Sequence, residues 1–279
     1  MESPKNTPVF ILAGGLGTRL AEETQLKPKP MVEIGDLPIL VHIMRWYYSH
    51  GFSDFVICAG YRSWDIKQFF LNYEFRVNHL QIDHRESRHT LPKAIGENSG
   101  QEHWRVRVID TGNECMTGAR IARAFDEIEK TESLSTFAVT YGDGVSNVNL
   151  KNELKFHHSH QKLGTVLGTL PSARFGELNV SQDHLVEGFL EKPESKLGFI
   201  NGGFFFFEKE FRQYLSTDPS CIMERGPLEK LAKDNQLMMF KHTGFWQPMD
   251  TLRDKMHLQD LWDKGQAPWA VSGDPKGAR

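Results

Sequence analysis

The chain predicts an α/β fold of three layers, with a mixed, mostly parallel sheet between helices and an additional smaller antiparallel element. Three observations carry this. Short apolar runs alternate with helical patterns through the first half, as β-α-β units do. The strongest of those runs end in glycine-rich turns, at Gly14-Gly15 and at Gly142-Asp143-Gly144. From Gly164 onward the strand-like runs follow one another more closely, which suits antiparallel neighbours that extend the same sheet.

The first strand spans Val9 to Ala13, and a helix is predicted from Pro38 to Ser49. Pro38 suits a first turn, where its missing N–H costs nothing, and Gly51 suits the C-terminal cap. A strand from Phe55 to Ala59 leads to a helix from Ser63 to Tyr73, with Ser63 as its N-cap. The strand Arg107 to Asp110 and the helix Ala119 to Ile128 continue the rhythm. Thr136 to Tyr141 is a third strong strand, and its glycine-flanked end is where an open parallel sheet presents ligands. Leu150 to His160 follows as a helix, then strands at Thr165 to Leu170, Glu177 to Val180, Val186 to Leu190 and Phe204 to Phe207. Val77 to Trp104, rich in His, Arg and Glu, has little periodicity and reads as a long excursion. The expected organisation is one domain over residues 8–270, with halves at 8–145 and 146–270 and loose tails at 1–7 and 271–279.

Bulk properties exclude several classes. With 279 residues and 39% hydrophobic content the chain can bury a sizeable core. A net charge of -3 offers no basic surface for a nucleic-acid backbone. Cys58, Cys115 and Cys221 lie far apart without a CxxC pair, which fits a reducing cytosol. The polar start and the interruption of the first apolar run at Gly14 argue against a secretion signal or a membrane span, so a cytoplasmic protein without membrane partners is expected.

Gly14-Gly15-Leu16-Gly17-Thr18-Arg19 directly follows the first strand, where bare backbone N–H groups can approach phosphate oxygens. The glycines alone fit a tight strand-to-helix turn equally well. The dinucleotide fingerprint needs a further glycine where Leu20 stands and an acid where Ala59-Gly60 stands, and the Gly-Lys-Ser/Thr of a P-loop is absent. Arg19 and the Lys27-Pro28-Lys29-Pro30 strap favour a polyanion, because two prolines lower the entropy cost of aiming two ammonium groups. Each cation at roughly 4 Å from a phosphate charge contributes on the order of 4 kcal/mol near a protein surface. An exposed Pro/Lys turn is the plain alternative.

Leu12-Ala-Gly-Gly-Leu-Gly-Thr-Arg-Leu20 with Lys27-Pro-Lys-Pro-Met31 resembles the sugar-1-phosphate nucleotidyltransferases, the nucleotide-sugar pyrophosphorylases. Met116-Thr-Gly118, Thr140-Tyr-Gly-Asp-Gly144, Arg174-Phe-Gly-Glu-Leu178, Glu191-Lys-Pro193, Ile200-Asn-Gly-Gly-Phe204 and Gly244 to Thr251 are similar to the cytidylyl branch of that superfamily. The resemblance runs from about Val9 to Trp269 and implies a Rossmann-like fold of the nucleotidyltransferase type. It also implies a magnesium-dependent transfer from CTP to glucose 1-phosphate, a homo-oligomer, and a product used in deoxysugar and surface-polysaccharide (O-antigen) synthesis.

The resemblance further implies site roles. Leu12, Ala13, Gly14, Gly15, Gly17, Thr18, Arg19, Lys29, Cys115, Thr117, Gly118, Arg120 and Gly142 surround the nucleotide. Arg19, Lys29 and Asp143 are catalytic, and Asp143 and Asp250 hold Mg²⁺ through hard carboxylate oxygens. Glu177, Lys192, Asn201 and Gly202 bind the sugar phosphate, in the second half of the domain. Taken as residues alone, Asp143 equally suits a turn that bonds its own backbone, Asp250 an N-cap, Lys192 a solvated strand end, Asn201-Gly202 a turn, and Glu177 an exposed acid on a half-buried strand. A helix N-terminus near Thr117 would favour phosphate. Glu114-Cys115 departs from the smaller polar residues usual in the family.

Other clusters read as structural. His157, His158 and His160 fit a solvated helix face, Phe204 to Phe207 a strand buried on both faces or else a subunit contact, and Trp46, Tyr47 and Tyr48 packing. Two rival functions remain: the same chemistry with another triphosphate or sugar phosphate, or a non-catalytic binder of nucleotide sugars. A nicotinamide dehydrogenase is disfavoured by the missing ribose-binding acid.

Overall fold

The structure, a computed structural model, describes residues 3–15, 17, 20, 27–77, 79–81, 93–95, 102–170, 177–180, 186–190 and 198–271. Its centre is a seven-stranded sheet made of β1 (Val9–Ala13), β2 (Asp54–Ala59), β3 (Arg105–Asp110), β4 (Thr136–Tyr141), β5 (Gly164–Thr169), β6 (Ile200–Glu208) and β7 (Leu237–His242). Their order is β7-β5-β6-β4-β1-β2-β3. β1 pairs parallel with both β2 and β4, β2 with β3, and β5 with β7. β6 runs antiparallel to β4 and to β5. The sheet is therefore mostly parallel, as predicted, with one reversed strand that inserts the second half beside the first.

All five residues of β1 are buried because helices cover both faces of the sheet. Val9, Ile11 and Ala13 join one core with α1 (Ile39–Ser49), α2 (Ser63–Leu71) and α4 (Leu150–His160). Phe10 and Leu12 join the other with α3 (Thr117–Glu129). Phe204 and Phe206 belong to the first core and Phe205 and Phe207 to the second, each at most 2% exposed. The four rings fill this chain's own interior, which removes them as a subunit contact; each contributes roughly 1.5–3 kcal/mol by burial. Tyr47 is likewise sealed in the core, stacked on Phe204.

Small antiparallel pairs complete the fold, as expected. One joins Glu177–Val180 to Val186–Leu190, and another joins Gly144–Ser146 to Trp246–Pro248. Within the excursion, His79–Gln81 pairs with Lys93–Ile95. At the start of the chain Pro4–Asn6 form a 3-10 turn and Thr7 is buried. No helix among the described residues is long and apolar enough to cross a membrane.

Several local expectations change. Pro38 is not in the first turn of α1 but is its N-cap, ending the short strand Leu37–Pro38. Ser63 is the first helical residue of α2 rather than its cap; Arg62 holds that place at φ 53°, and the Ser63 hydroxyl donates to Asp110 Oδ2. That helix stops at Leu71, and Tyr73–Val77 form a separate short helix. The histidines of α4 are not a solvated face. His157 is buried with Nδ1 2.8 Å from Thr165 Oγ1 and Nε2 3.2 Å from Glu208 Oε1, and His160 Nε2 lies 2.7 Å from the same threonine hydroxyl. The short 161–163 turn brings β5 back under the last turn of α4, so imidazoles satisfy β-strand hydroxyls there instead of meeting water.

Candidate active site

β1 and β4 lie side by side while their onward connections leave in opposite directions, so a crevice opens beyond their carboxyl ends. A cavity of about 350 Å³ occupies it. The expected residues Leu12, Ala13, Gly14, Gly15, Gly17, Lys29, Cys115, Thr117, Arg120, Asp143 and Asp250 line it, joined by Pro30, Met116 and Tyr141. Gly17 holds φ 63°, a left-handed turn that a side chain would strain.

Lys29 begins a single 3-10 turn, Lys29–Met31, closed by the Met31 N–H on the Pro28 carbonyl. Its Nζ donates to Asp143 Oδ2 at 2.6 Å and to Asp250 Oδ1 at 2.7 Å. Burial opposes the ammonium charge, but Asp143 and then Asp250 outweigh it and hold the Lys29 pKa above its usual value. The strap does not aim both lysines at one place: Lys27 Nζ lies 3.8 Å from Glu33 Oε2, away from the cluster. Asp143 meets Asp250 because Gly144 pairs with Pro248 and the Met249 N–H donates to the Asp143 carbonyl. Asp250 is not a helix cap. Thr251 caps α5 (Leu252–Asp263) in a capping box with Asp254, which leaves the Asp250 carboxylate to face Lys29.

Arg120, expected beside the nucleotide, has a guanidinium committed to protein. It donates to the carbonyls of Gly14, Ala59, Gly112 and Asn113 and to Thr111 Oγ1. It thus ties together the loops after β1, β2 and β3. Burial lowers its pKa, and five acceptors solvate the buried charge. Gly14 is required by this contact: a Cβ there would stand 2.1 Å from Arg120 Nη1, and one at Gly60 would stand 2.2 Å away.

Gly118 and Gly142 face protein. A Cβ would meet Cys221 Sγ at 2.6 Å in the first case and the Leu12 carbonyl at 2.6 Å in the second. The Ala119 N–H in the first turn of α3 donates to the Cys221 carbonyl, so that turn is already partly engaged by the chain itself. Asn201 is exposed and outside the residues that line the cavity, its amide donating at 3.2 Å to the hydroxyl of Tyr141, which does line it. Gly202 is buried against Leu167, and its carbonyl accepts from Trp246 Nε1 at 2.6 Å. Glu177 opens its strand opposite Leu190. Thr18, Arg19 and Lys192 lie outside the described residues.

Sequence reasoning missed Tyr141 and Glu224. Tyr141 Oη donates to Glu224 Oε1 at 2.5 Å, and Thr117 Oγ1 donates to Glu224 Oε2 at 2.6 Å. Tyr141 was visible as the residue closing β4 just before Gly142-Asp143. Glu224 lies in an irregular segment with no periodic signal.

A glycine-walled crevice with a lysine between two carboxylates is equipment for a ligand rich in phosphate charge. The chain belongs to the nucleotidyl transferase family, whose sequence pattern matches residues 9–247. Within it, the chain is 45% identical over 259 residues to glucose-1-phosphate cytidylyltransferase of Salmonella typhi, covering 93% of this chain and 97% of that protein. Identity and coverage are the same for glucose-1-phosphate cytidylyltransferase of Salmonella typhimurium. Among solved structures, HddC from Yersinia pseudotuberculosis, complexed with GMP-PN, superposes with a TM-score of 0.60 at 22% identity, covering 91% of this chain and 98% of that one. That likeness shows the fold.

Proposed function

We propose that the chain transfers the cytidylyl group of CTP to glucose 1-phosphate, giving CDP-glucose and pyrophosphate. The observation that carries the chemistry is Lys29 held between Asp143 and Asp250 in the cavity that Gly14, Gly15 and Gly17 also line. The substrates rest on the names of relatives alike over 93% of the chain. An oxygen of the sugar phosphate attacks the α-phosphorus in line, the bond from that phosphorus to the bridging oxygen breaks, and its electron pair leaves with pyrophosphate. No covalent intermediate with the protein is involved. The chain's task is to align two mutually repelling anions and to place fixed positive charge on the transferring group. Lys29 supplies that charge, and Arg19 is assigned the same task on the resemblance. Lys192, Glu177 and Asn201 orient the acceptor, which places nucleotide binding in the 8–145 half and sugar-phosphate binding in the 146–270 half.

Mg²⁺ completes this proposal, held by Asp143 and Asp250. The residues fit it: two hard carboxylates converge on one point at which the structure already places a cation, the Lys29 ammonium. Among the described residues no third acid, histidine or cysteine joins a metal-binding group, which suits an ion that takes its remaining ligands from water and substrate phosphates. When bound, the ion supplies charge neutralisation to the triphosphate and to the departing pyrophosphate. A homo-oligomer and a place in deoxysugar synthesis are proposed on the resemblance alone.

Pyrophosphate release from the four common triphosphates, each crossed with several sugar 1-phosphates, tests the proposal. CTP with glucose 1-phosphate is expected to exceed every other pair by about tenfold or more. A different best pair reassigns the substrates. Silence across all pairs overturns catalysis and favours a binder of nucleotide sugars.

A further inference from the structure

The geometry points to Glu224 as a positioning residue that couples the nucleotide wall of the cavity to its acceptor side. This inference rests on the proposed function. One carboxylate accepts from two hydroxyls on different elements: Thr117, the first residue of α3, and Tyr141, the last residue of β4. Both line the cavity, and Tyr141 stands two positions before Asp143.

Each hydroxyl has one role as donor and one as acceptor. Thr117 Oγ1 donates to Glu224 Oε2 and accepts from the Met223 N–H at 2.9 Å. Tyr141 Oη donates to Glu224 Oε1 and accepts from Asn201 Nδ2. Asn201 Oδ1 in turn accepts from the Gly203 N–H at 2.8 Å, which fixes the direction of the amide. The result is a chain Thr117–Glu224–Tyr141–Asn201 whose hydrogen bonds converge on the Glu224 carboxylate from the nucleotide side and from the acceptor side.

The chain is anchored at both ends. Gly203, at φ 78°, lies under the Tyr141 ring, where a Cβ would stand 2.3 Å from it. Glu224 follows a strap whose Pro219 and Cys221 carbonyls accept from the Met116 and Ala119 N–H groups. Gly118 faces that strap with no room for a side chain. A carboxylate set this firmly between two walls controls their separation. In-line transfer is sensitive to that separation, since a misplacement of about 1 Å costs on the order of 10²-fold.

The test uses the full chain with Glu224→Gln, Tyr141→Phe, Thr117→Val and the double variant Glu224→Gln/Tyr141→Phe. Glutamine keeps the shape but offers only one acceptor oxygen, so one hydroxyl loses its partner. Expected is a fall in kcat of about 10-fold or more for Glu224→Gln at an unchanged melting temperature. Thr117→Val should raise KM for CTP more than KM for glucose 1-phosphate, and Tyr141→Phe the reverse. The double variant should lose no more than Glu224→Gln alone, because the two act through one chain. Additive losses, or a kcat loss matched by a falling melting temperature, overturn the inference in favour of a structural tie. Calorimetric binding of CTP separates the two levels. If the wild type binds CTP but releases no pyrophosphate, the proposed function fails. An affinity reduced about 5-fold in Glu224→Gln then still supports coupling, and an unchanged affinity overturns it.

Discussion

Lys29 Nζ lies 2.6 Å from Asp143 Oδ2 although 114 positions separate the two residues. The ammonium is the cation that lets Asp143 and Asp250 face a common point, and the carboxylates keep it charged against the cost of burial. The proposed transfer relies on this charge, so replacing Lys29 by alanine should lower turnover by about 10²-fold or more. Steady-state pyrophosphate release checks this, and near-normal turnover would remove Lys29 from the machinery. The same variant leaves two carboxylates without their shared cation. Added Mg²⁺ should therefore raise its melting temperature by about 4 °C more than that of the wild type. Equal shifts in the two proteins would show that lysine and metal do not share the carboxylates.

Arg120 is a structural clamp with a functional address. Lysine in its place has three donors at one point and cannot reach Gly14, Ala59 and the 111–113 loop together. Arg120→Lys is expected to cost about 2–3 kcal/mol of stability in urea unfolding, because buried carbonyls lose their donors. A cost below about 0.5 kcal/mol would mean that the loops hold each other without it.

Two groups on α4 contribute to the pH dependence of stability in opposite senses. Burial pushes the Glu153 carboxyl up to about 8, and neither oxygen has a partner among the described residues. The unfolded chain releases this proton near the usual 4.5, so stability falls as pH rises from about 4.5 to 8, with a slope of at most ~1.4 kcal/mol per pH unit. Burial pushes His160 down to about 4, so its contribution is lost as pH falls from 6.5 toward 4. The two slopes oppose each other at acid pH, and above 6.5 only that of Glu153 remains. Denaturant melts at pH 6.5 and 8 should show the wild type losing stability while Glu153→Gln does not. A wild type equally stable at both values would contradict the buried neutral carboxyl.

Much of the fold was legible in local pattern. β1, β4 and α4 fall where the apolar runs and their flanking residues put them, because a strand buried on both faces reads as a nearly continuous apolar run. Helix starts were less legible. Arg62 takes a left-handed conformation that no local preference favours, and a capping box claims Thr251, one residue after Asp250, for which a cap was the plain alternative. The α4 histidines were misread because their partner Thr165 lies on a strand that the helical pattern says nothing about.

The alternating apolar runs determined the fold class, and the glycine loop, the lysine strap and the further motifs taken together pointed to the family. Only the tertiary structure decided which groups work as a unit. Asp143 meets Asp250 through the pairing of Gly144 with Pro248, Gly14 is dictated by an arginine 106 positions away, and Glu224 joins two walls from an irregular segment. The physical reason is that a hydrogen bond or ion pair between distant segments leaves no periodicity in the chain, since its geometry exists only once the sheet has set the register of the strands that carry it.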